Sequence, residues 1–453
     1  MTYPDWVLKH KTRGTELRKI RDKYYMYNIT SKWDPVRKKA RKVTLGQVGV
    51  ITQEHGLVPT GMMRKGKIPK GKSILRDEFA REKFAEGFID DFTKIDDPRS
   101  SRNQLYSIAE IFLVTFCAAL CGAEGWQDIE DYGKMKLDYL RQYLDYRNGT
   151  PSDDTIRRFF RAINPEGFEK LFRGWISDLV KKEDIKVIAI DGKSSRHSFD
   201  GDNKMLHTIS AFATDVRMVL GQEKVSEKSN EITAIPRMLE WLDVQGHIVT
   251  IDAMGCQYEI ANKIIEKTGD YIFALKGNQG ALSADVELFF KDKNEAETDF
   301  PSYTDYDKGH GRVETRQCWV VSDVVWLRDM HPDWQSIQSI VQIDSTREIK
   351  DKITKESRYY ISSLKTTPKQ MLANIRSHWA IENSLHWVLD MSFNEDQSRI
   401  RKQNAPYAMA IIRHIASNLL QSVKKERQSI KRLRKMCGWS NETLDTVIAK
   451  KFS

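Results

Sequence analysis

Two short apolar runs near the middle of the chain each end in an aspartate. The run from Val187 to Ile190 leads directly into Asp191, and the run from His247 to Ile251 leads directly into Asp252. Short runs of this kind, rich in β-branched residues, are typical of strands that are buried on both faces of a sheet. If both strands belong to one sheet, the pattern predicts two carboxylates at the same sheet edge. Each aspartate taken alone could equally begin a turn or cap a helix.

The elements around these two runs indicate a mixed α/β domain. Two further predicted strands, His207 to Thr214 and Met218 to Val225, are separated by three residues and would form a hairpin. Predicted helices then alternate with strands up to residue 291. Three antiparallel strands followed by such alternation is ribonuclease-H-like order. Predicted strands at about 300–363 would form a β-rich insertion, after which the chain is helical again.

The charge of the chain is concentrated at its N-terminus. Residues 1–75 contain 18 Lys and Arg against 5 Asp and Glu, which gives this segment a net charge of +13. The net charge of all 453 residues is only +10. Basic residues interleaved with Tyr and Trp in predicted strands suit contacts with a nucleic-acid backbone. A solvated basic tail would have the same composition. The first part of this segment, to about Lys23, is predicted to be helical.

We predict four segments from these shifts in composition and pattern. They are a basic N-terminal DNA-binding segment at 1–75, a helical domain at 76–182, a ribonuclease-H-like domain at 183–437 and a C-terminal tail at 438–453. A chain of this length is expected to hold two or three domains.

Cysteine usage and hydropathy exclude several other classes of protein. The five cysteines include no Cys-x-x-Cys pair, so neither a disulfide framework nor a zinc site is indicated. The N-terminus lacks the apolar core of a signal peptide. The longest apolar stretch, Ile108 to Cys121, carries Glu110 and is shorter than a bilayer span. We therefore expect a reduced cytoplasmic protein, associated with the nucleoid and without a membrane partner.

Phosphoryl transfer on nucleic acids is commonly carried out by two divalent cations about 4 Å apart, and such hard cations prefer carboxylate oxygens. A third carboxylate is therefore expected from the helical segment after the β-rich insertion. Spacing alone does not choose among its four acidic candidates, which are Glu382, Asp390, Glu395 and Asp396.

A zinc site is the alternative interpretation of this helix. His378, Glu382 and His386 recur every four residues and would share one helix face. The HExxH motif is absent, however, and two histidines eight residues apart on one helix do not readily bind one ion.

Longer motifs around these residues resemble the DDE transposases of the ISAs1 group of insertion sequences. That group includes the H-repeat-associated proteins and is related to the wider IS4 family. The resemblance covers roughly residues 85–437. It is carried by AIDGK at 189–193, TIDAMGCQ at 250–257, ALKGNQ at 274–279, HWAIENSLHWVLD at 378–390, NEDQSRIRK at 394–402, DDPR at 96–99 and TPSDDT at 150–155.

The resemblance implies a ribonuclease-H-like core in which Asp191, Asp252 and Glu382 are catalytic and bind two Mg²⁺ (or Mn²⁺) ions. It implies a transposase that acts on double-stranded DNA, cutting at transposon ends and joining the freed 3′ hydroxyl to target DNA. Because two ends meet at synapsis, a homodimer is expected. Two alternatives stay open, a domesticated DNA-binding or regulatory protein and a metal-dependent DNA nuclease unrelated to mobility.

Further polar residues near the proposed triad are candidates for contacts with DNA. They are Lys193, Lys276, Asn278, His378, Arg399, Arg401 and Lys402. In a continuing strand, Lys193 would share the face of Asp191. His378 stands where the wider IS4 family has an arginine, and it could take over a phosphate contact. Each of these residues could instead be an ordinary surface charge.

Overall fold

The computed structural model describes most of the chain, and it divides into two compact units, Met1–Lys72 and Ser73–Ser453. The described residues are 3–13, 15–20, 23–34, 39–53, 56–59, 86–92, 94–100, 104–181, 183–199, 205–225, 231–295, 300–309, 311–349 and 352–449.

The first unit is built on a four-stranded antiparallel sheet. Its elements are α1 (Asp5–Leu8), β1 (Thr15–Ile20), β2 (Lys23–Asp34), β3 (Lys39–Thr52) and β4 (Gly56–Pro59). The strands lie in chain order, and Leu17 pairs with Met26 over a small core. The helix predicted to about Lys23 is therefore wrong after Leu8, because the buried Leu17 alternates with more exposed neighbours, as in a strand.

Residues 86–181 are helical. The helices are α2 (86–92), α3 (Ile108–Cys121), α4 (Trp126–Met135), α5 (Leu137–Leu140), α6 (Asp153–Ala162) and α7 (Pro165–Val180). A capping box formed by Ser107 and Glu110 begins α3, and Gly122 ends it at a φ of 117°. Almost all of α3 is buried, which explains the long apolar stretch in the sequence. Within the described ranges, no single helix has the length and hydropathy of a membrane span. Helices α3 and α4 reach that length and hydropathy only when taken together, and the chain bends by 98° between them.

A nine-stranded sheet forms the centre of the second unit. Its strands are β5 (Val187–Ser194), β6 (His207–Ala213), β7 (Met218–Val225), β8 (Ile248–Ile251), β9 (Asp270–Leu275), β10 (Ser302–Gly309), β11 (Arg312–Val321), β12 (Ser339–Ile349) and β13 (Lys352–Ser362). The order across the sheet is β10-β11-β12-β13-β9-β8-β5-β6-β7. Strand β5 is antiparallel to β6 and parallel to β8, and β8 is parallel to β9.

This connectivity confirms the predicted ribonuclease-H-like fold. The helices that follow β7, β8 and β9 are α8 (Glu231–Trp241), α9 (Tyr258–Glu266) and α10 (Gly280–Glu295). Helix α11 (Val325–Met330) lies within the β-rich segment, between β11 and β12. The predicted β-rich insertion is also confirmed. It is an antiparallel meander that extends the central sheet, because β13 pairs directly with β9.

The chain after the insertion is helical. Its helices are α12 (Pro368–Ile381), a π-helical turn (Glu382–His386), α13 (Trp387–Phe393), α14 (Ala405–Val423), α15 (Ile430–Trp439) and α16 (Asn441–Ile448). The segment predicted as a C-terminal tail contributes α16, in which Leu444, Val447 and Ile448 are buried. Their spacing of three and four residues is that of an amphipathic helix. The predicted domain boundaries at 75, 182 and 437 stay predictions.

Candidate active site

Asp191 and Asp252 lie next to each other at one edge of the central sheet. Ile190 of β5 pairs with Ile251 of β8, so the next residue along each parallel strand is an aspartate. Past this point β5 continues along β6 only. Both aspartates line a cavity of about 220 Å³. The structure therefore brings together the two carboxylates that the strand pattern singled out.

Asp191 is mostly buried, and its charge is poorly compensated. Burial raises the pKa of this carboxyl to about 7, although the nearby His386 ring opposes the shift. The negative charge of Glu382 acts in the same direction as burial. The backbone N–H of Gly192 donates a hydrogen bond to Oδ1 of this carboxylate at 2.9 Å. A site of this kind favours a bound cation.

Asp252 caps a short turn as well as facing the cavity. Its Oδ1 accepts from the backbone N–H groups of Met254 at 3.0 Å and Gly255 at 3.3 Å. Burial raises the pKa of Asp252, and these two hydrogen bonds partly offset the shift. Both interpretations of this aspartate, as a cap and as a cavity carboxylate, therefore hold at once.

The third carboxylate comes from the π-helical turn. The backbone N–H of Trp387 donates to the carbonyl oxygen of Glu382, five residues earlier. Such turns are rare and occur frequently at functional sites. His386 Nδ1 lies 3.5 Å from Glu382 Oε2 and 3.7 Å from Asp191 Oδ2. A side-chain hydrogen bond with His386 is the main cause that lowers the pKa of Glu382.

Asp191, Glu382 and His386 form a possible ligand group for a metal ion. One donor atom from each residue lies within 4.8 Å of the other two. Of the four acidic candidates after the insertion, Glu382 is the one that lies in this group. Sequence reasoning did not place His386 in the site, although its spacing of four residues from Glu382 was the available signal.

The other three acidic candidates surround Lys193 instead. Lys193 Nζ lies 2.7 Å from Asp390 Oδ1, 3.2 Å from Asp396 Oδ1 and 4.0 Å from Glu395 Oε2. We call these four residues the Lys193 cluster. Only 10% of the Lys193 side chain is exposed. Burial acts to lower the pKa of Lys193, but the three carboxylates outweigh it and raise the pKa.

Two of the predicted DNA contacts line the cavity. Lys276 is exposed at the end of β9, as the sequence indicated. His378 Nδ1 lies 2.9 Å from the hydroxyl oxygen of Thr250. Burial lowers the pKa of His378 to about 4, so its ring is neutral at pH 7. The side chain of Asn278 lies outside the described residues.

The basic group at 399–402 is not part of this cavity within the described chain. Arg399 and Lys402 are exposed. The Nε of Arg401 donates to the carbonyl oxygen of His197 at 2.9 Å, and its guanidinium lies 5.3 Å from the centre of the Phe199 ring. These contacts fix Arg401 against the segment that follows β5.

A buried pair that the sequence did not reveal packs against Gly192. His207 Nε2 lies 2.5 Å from Glu231 Oε1, and His207 Nδ1 lies 2.9 Å from the hydroxyl oxygen of Ser194. A Cβ atom at position 192 would lie 2.4 Å from Glu231 Oε1. A larger residue beside Asp191 would therefore have to displace this buried pair.

Clustered carboxylates at the ends of the central strands of a ribonuclease-H-like sheet are the arrangement expected of a DDE transposase. Residues 182–419 match the family described as Transposase DDE domain, and residues 89–176 match the family described as DDE_Tnp_1-associated. The chain therefore belongs to the DDE transposase family.

Relatives in Escherichia coli match most of the chain. It is 42% identical to the H repeat-associated putative transposase YhhI of strain K12 over 362 residues, which are 78% of this chain and 96% of that protein. It is 47% identical to the H repeat-associated putative transposase YbfD of the same strain over 232 residues, 51% of this chain and 91% of that protein. The suspected relationship to the H-repeat-associated proteins is confirmed.

A solved structure of the piggyBac transposase synaptic complex with hairpin DNA aligns with 84% of this chain and 80% of that chain. The sequence identity is 11% and the TM-score is 0.36, a likeness too weak to bear on the present site.

Proposed function

We propose that this protein is the transposase of an insertion sequence, which binds transposon ends on double-stranded DNA, cleaves a DNA strand and transfers it to target DNA. The observation that carries the proposal is the convergence of Asp191, Asp252 and Glu382 on one cavity at the sheet edge. Membership of the DDE transposase family supports the same assignment. The protein would act on DNA of the nucleoid in the cytoplasm.

Asp191, Asp252 and Glu382 would hold two Mg²⁺ or Mn²⁺ ions. Carboxylate oxygens are the ligands that these hard cations prefer. The raised pKa values of Asp191 and Asp252, caused first by burial, are consistent with carboxylates that a cation would stabilise. When bound, such ions activate the attacking oxygen and stabilise the leaving oxygen.

Other residues of the cavity would bind and orient the DNA strand. Lys276 would offer a positive charge to a phosphate at the cavity mouth. His378 is held by Thr250 through Nδ1. If the Thr250 hydroxyl donates to Nδ1, the neutral ring carries its proton on Nε2 and can donate one hydrogen bond to a phosphate oxygen. Lys193 is assigned a positioning role, because its ammonium is already surrounded by carboxylates.

The test of the proposal uses the DNA that flanks the gene, which would carry the transposon ends. We expect Asp252→Asn to abolish Mg²⁺-dependent cleavage and to leave DNA binding intact, because binding of the strand does not require the full metal site. The matched control is Asp184→Asn, which removes an exposed carboxylate just before β5. Cleavage by Asp252→Asn at the rate of the control would refute the triad.

Product analysis separates the transposase from the two alternatives. A transposase joins the cleaved 3′ end to a second DNA molecule, whereas a nuclease yields only hydrolysis products. A domesticated DNA-binding protein would bind the flanking DNA without cutting it. Light scattering of the DNA complex would show whether two copies of the chain bring two ends together, as we propose.

For the first unit we propose a separate role in binding the DNA backbone. Its sheet carries basic side chains over aromatic rings, with Arg18 4.7 Å from the centre of the Tyr27 ring and Lys19 5.6 Å from that of Tyr24. Backbone contacts of this kind make affinity fall with salt. Deletion of residues 1–72 should therefore flatten the salt dependence of DNA binding, and an unchanged salt dependence would remove this role.

A further inference from the structure

The β-rich insertion carries an ordered array of charged residues on one face. Side chains alternate between the two faces of a strand, so Arg312, Glu314 and Arg316 of β11 lie on the same face. The register places Glu314 opposite Arg347 of β12. It also places Arg316 opposite Ser345, which in turn lies opposite Glu356 of β13. The charges of three strands therefore lie side by side on one surface.

The same face is apolar where helix α12 covers it. Cys318, Val320 and Val341 of the sheet pack against Met371 and Leu372 of the helix. The face becomes charged beyond this contact, toward the outer ends of the hairpins. Helix α12 therefore forms one wall of a groove, and the charged part of the insertion sheet forms its floor.

The groove has a volume of about 770 Å³ and an excess of positive charge. Its lining includes three carboxylates, Asp307, Glu314 and Glu356, and six arginines. We call the six arginines the arginine face, and they are Arg217, Arg312, Arg316, Arg347, Arg358 and Arg376.

Carboxylates neutralise only part of the arginine face. Arg358 pairs with Glu356, and Arg376 pairs with Asp305 and Asp307. Arg316 lies 3.6 Å from Asp305 as well as close to Glu314. Glu314 is shared by three arginines, since one of its oxygens lies 2.7 Å from Arg316 and 3.8 Å from Arg312, and the other lies 3.9 Å from Arg347. Only the first of these contacts is short enough for a hydrogen bond. Arg312 and Arg347 are 42% and 45% exposed. Their guanidinium groups are therefore available to an anionic ligand.

The groove is continuous with the candidate active site. Arg358, Tyr360, Ile375 and Trp379 line both the groove and the catalytic cavity. At this junction the guanidinium of Arg358 lies 5.3 Å from the centre of the half-exposed Trp379 ring. A polyanion that places one phosphate at Asp191 would thus extend along a row of arginines.

We propose that the arginine face is a binding site for the phosphodiester backbone of the DNA strand that continues from the catalytic cavity. Arginine suits this ligand because its planar guanidinium binds phosphate oxygens in pairs and stays charged at any working pH. The identity of the strand rests on the proposed function, whereas the affinity of the groove for phosphodiesters does not.

The test is the salt dependence of DNA binding by the full-length protein without divalent cations. The variant is the double substitution Arg312→Gln and Arg347→Gln, which removes two exposed charges from the groove. The matched control, Arg147→Gln with Lys186→Gln, removes two exposed charges elsewhere. The probe is a short fluorescent oligonucleotide of arbitrary sequence, either single-stranded or annealed to its complement.

We expect the groove variant to bind DNA more weakly and with a flatter dependence on salt. Loss of two phosphate contacts should reduce the slope of log K against log salt by about 1.4 for the single strand and about 1.8 for the duplex. The control should keep the slope of the unaltered protein. A change with one probe only would assign the groove to that form of DNA.

An unchanged slope with both probes would overturn the proposal. Because cleavage is not measured, a failure of the metal triad leaves this result unaffected, and a failure of the groove leaves the triad test unaffected. Both arginines are exposed, so a folded variant is expected. A second variant, Thr354→Cys, gives an independent measurement. The thiol of this exposed groove residue should exchange with a mixed disulfide tethered to a backbone phosphate of the DNA, which cross-links the two and releases the small thiol.

Discussion

The Lys193 cluster and the arginine face both combine positively charged side chains of the central sheet with carboxylates, but in opposite proportions. In the Lys193 cluster one buried ammonium is surrounded by three carboxylates. On the arginine face the exposed Arg312 and Arg347 lie 3.8 Å and 3.9 Å from Glu314, which already contacts Arg316 at 2.7 Å. The first arrangement has no positive charge left for DNA, whereas the second does.

This difference indicates what each region contributes. Lys193 ties the end of β5, which carries Asp191, to Asp390 on α13 and to the two acidic residues that follow that helix. Helix α13 directly follows the π-helical turn that carries Glu382. The cluster therefore positions the two halves of the candidate metal site. The arginine face is a surface whose charge is available to a ligand.

The largest expected effect is the loss of stability on removing the Lys193 ammonium. We expect Lys193→Met to reduce the free energy of unfolding by about 3 kcal/mol, the lower end for breaking a buried ion pair. Asp390 loses its cation, whereas Glu395 and Asp396 keep their contacts with Arg413 and Arg196. Urea denaturation measures the change. The control is Lys186→Met, just before the same strand, which is exposed and should change stability by about 0.5 kcal/mol or less. A small effect on stability together with a large loss of DNA affinity would show that Lys193 is a DNA contact after all.

The pH dependence of stability tests whether the Lys193 cluster also compensates Asp191. The folded protein retains a proton on Asp191 up to about pH 7, whereas the unfolded carboxyl loses it near pH 3.8. This residue therefore makes the metal-free protein less stable as the pH rises through that window, because the unfolded state binds fewer protons there.

We expect Asp191→Asn to remove this dependence. In thermal unfolding with a chelator present, the variant should gain stability relative to the unaltered protein as the pH rises from 5 to 7, and the gap should stay constant above 7. If stability changed with pH in the same way for Asp191→Asn and the unaltered protein, the charge of Asp191 would already be balanced in the folded state. The Lys193 cluster would then compensate Asp191 as well.

The smallest effect on stability is expected on the arginine face. Arg358→Gln removes a partly exposed ion pair with Glu356, which contributes about 1 kcal/mol or less. The same change should reduce the salt slope of DNA binding by about 0.7 for a single strand, since it removes one phosphate contact. Arg147→Gln is the matched control. A large loss of stability without a change in the salt slope of DNA binding would mean that Arg358, like Lys193, stabilises the fold and does not contact DNA.

The sequence predicted the parts of the site that depend on short-range patterns. Two apolar runs that end in aspartate were sufficient to place Asp191 and Asp252 at one sheet edge. The strands of the insertion were predicted at about 300–363, although the charged outer halves of β12 and β13 do not resemble strands by hydropathy.

The remaining features depend on packing that the sequence does not encode locally. His378, Glu382 and His386 were placed on one face of a regular helix, and the π-helical turn at Glu382 could not be recognised from spacing. Lys193 was predicted to contact DNA because it would share the strand face of Asp191. Its three carboxylate partners could not be foreseen, since they lie about 200 residues further along the chain. The alternating Arg312, Glu314 and Arg316 were a visible signal, yet only strand register shows that they share a surface with β12 and β13.

Binding of Mn²⁺ tests the central claim, that Asp191, Asp252 and Glu382 form a metal site, most directly. Calorimetric titration of the DNA-free protein with Mn²⁺ should show binding that Glu382→Gln, Asp191→Asn and Asp252→Asn each weaken more than tenfold, since each removes a ligand. The control Asp184→Asn should leave the affinity unchanged. Equal Mn²⁺ affinity in the three variants and the control would contradict the account.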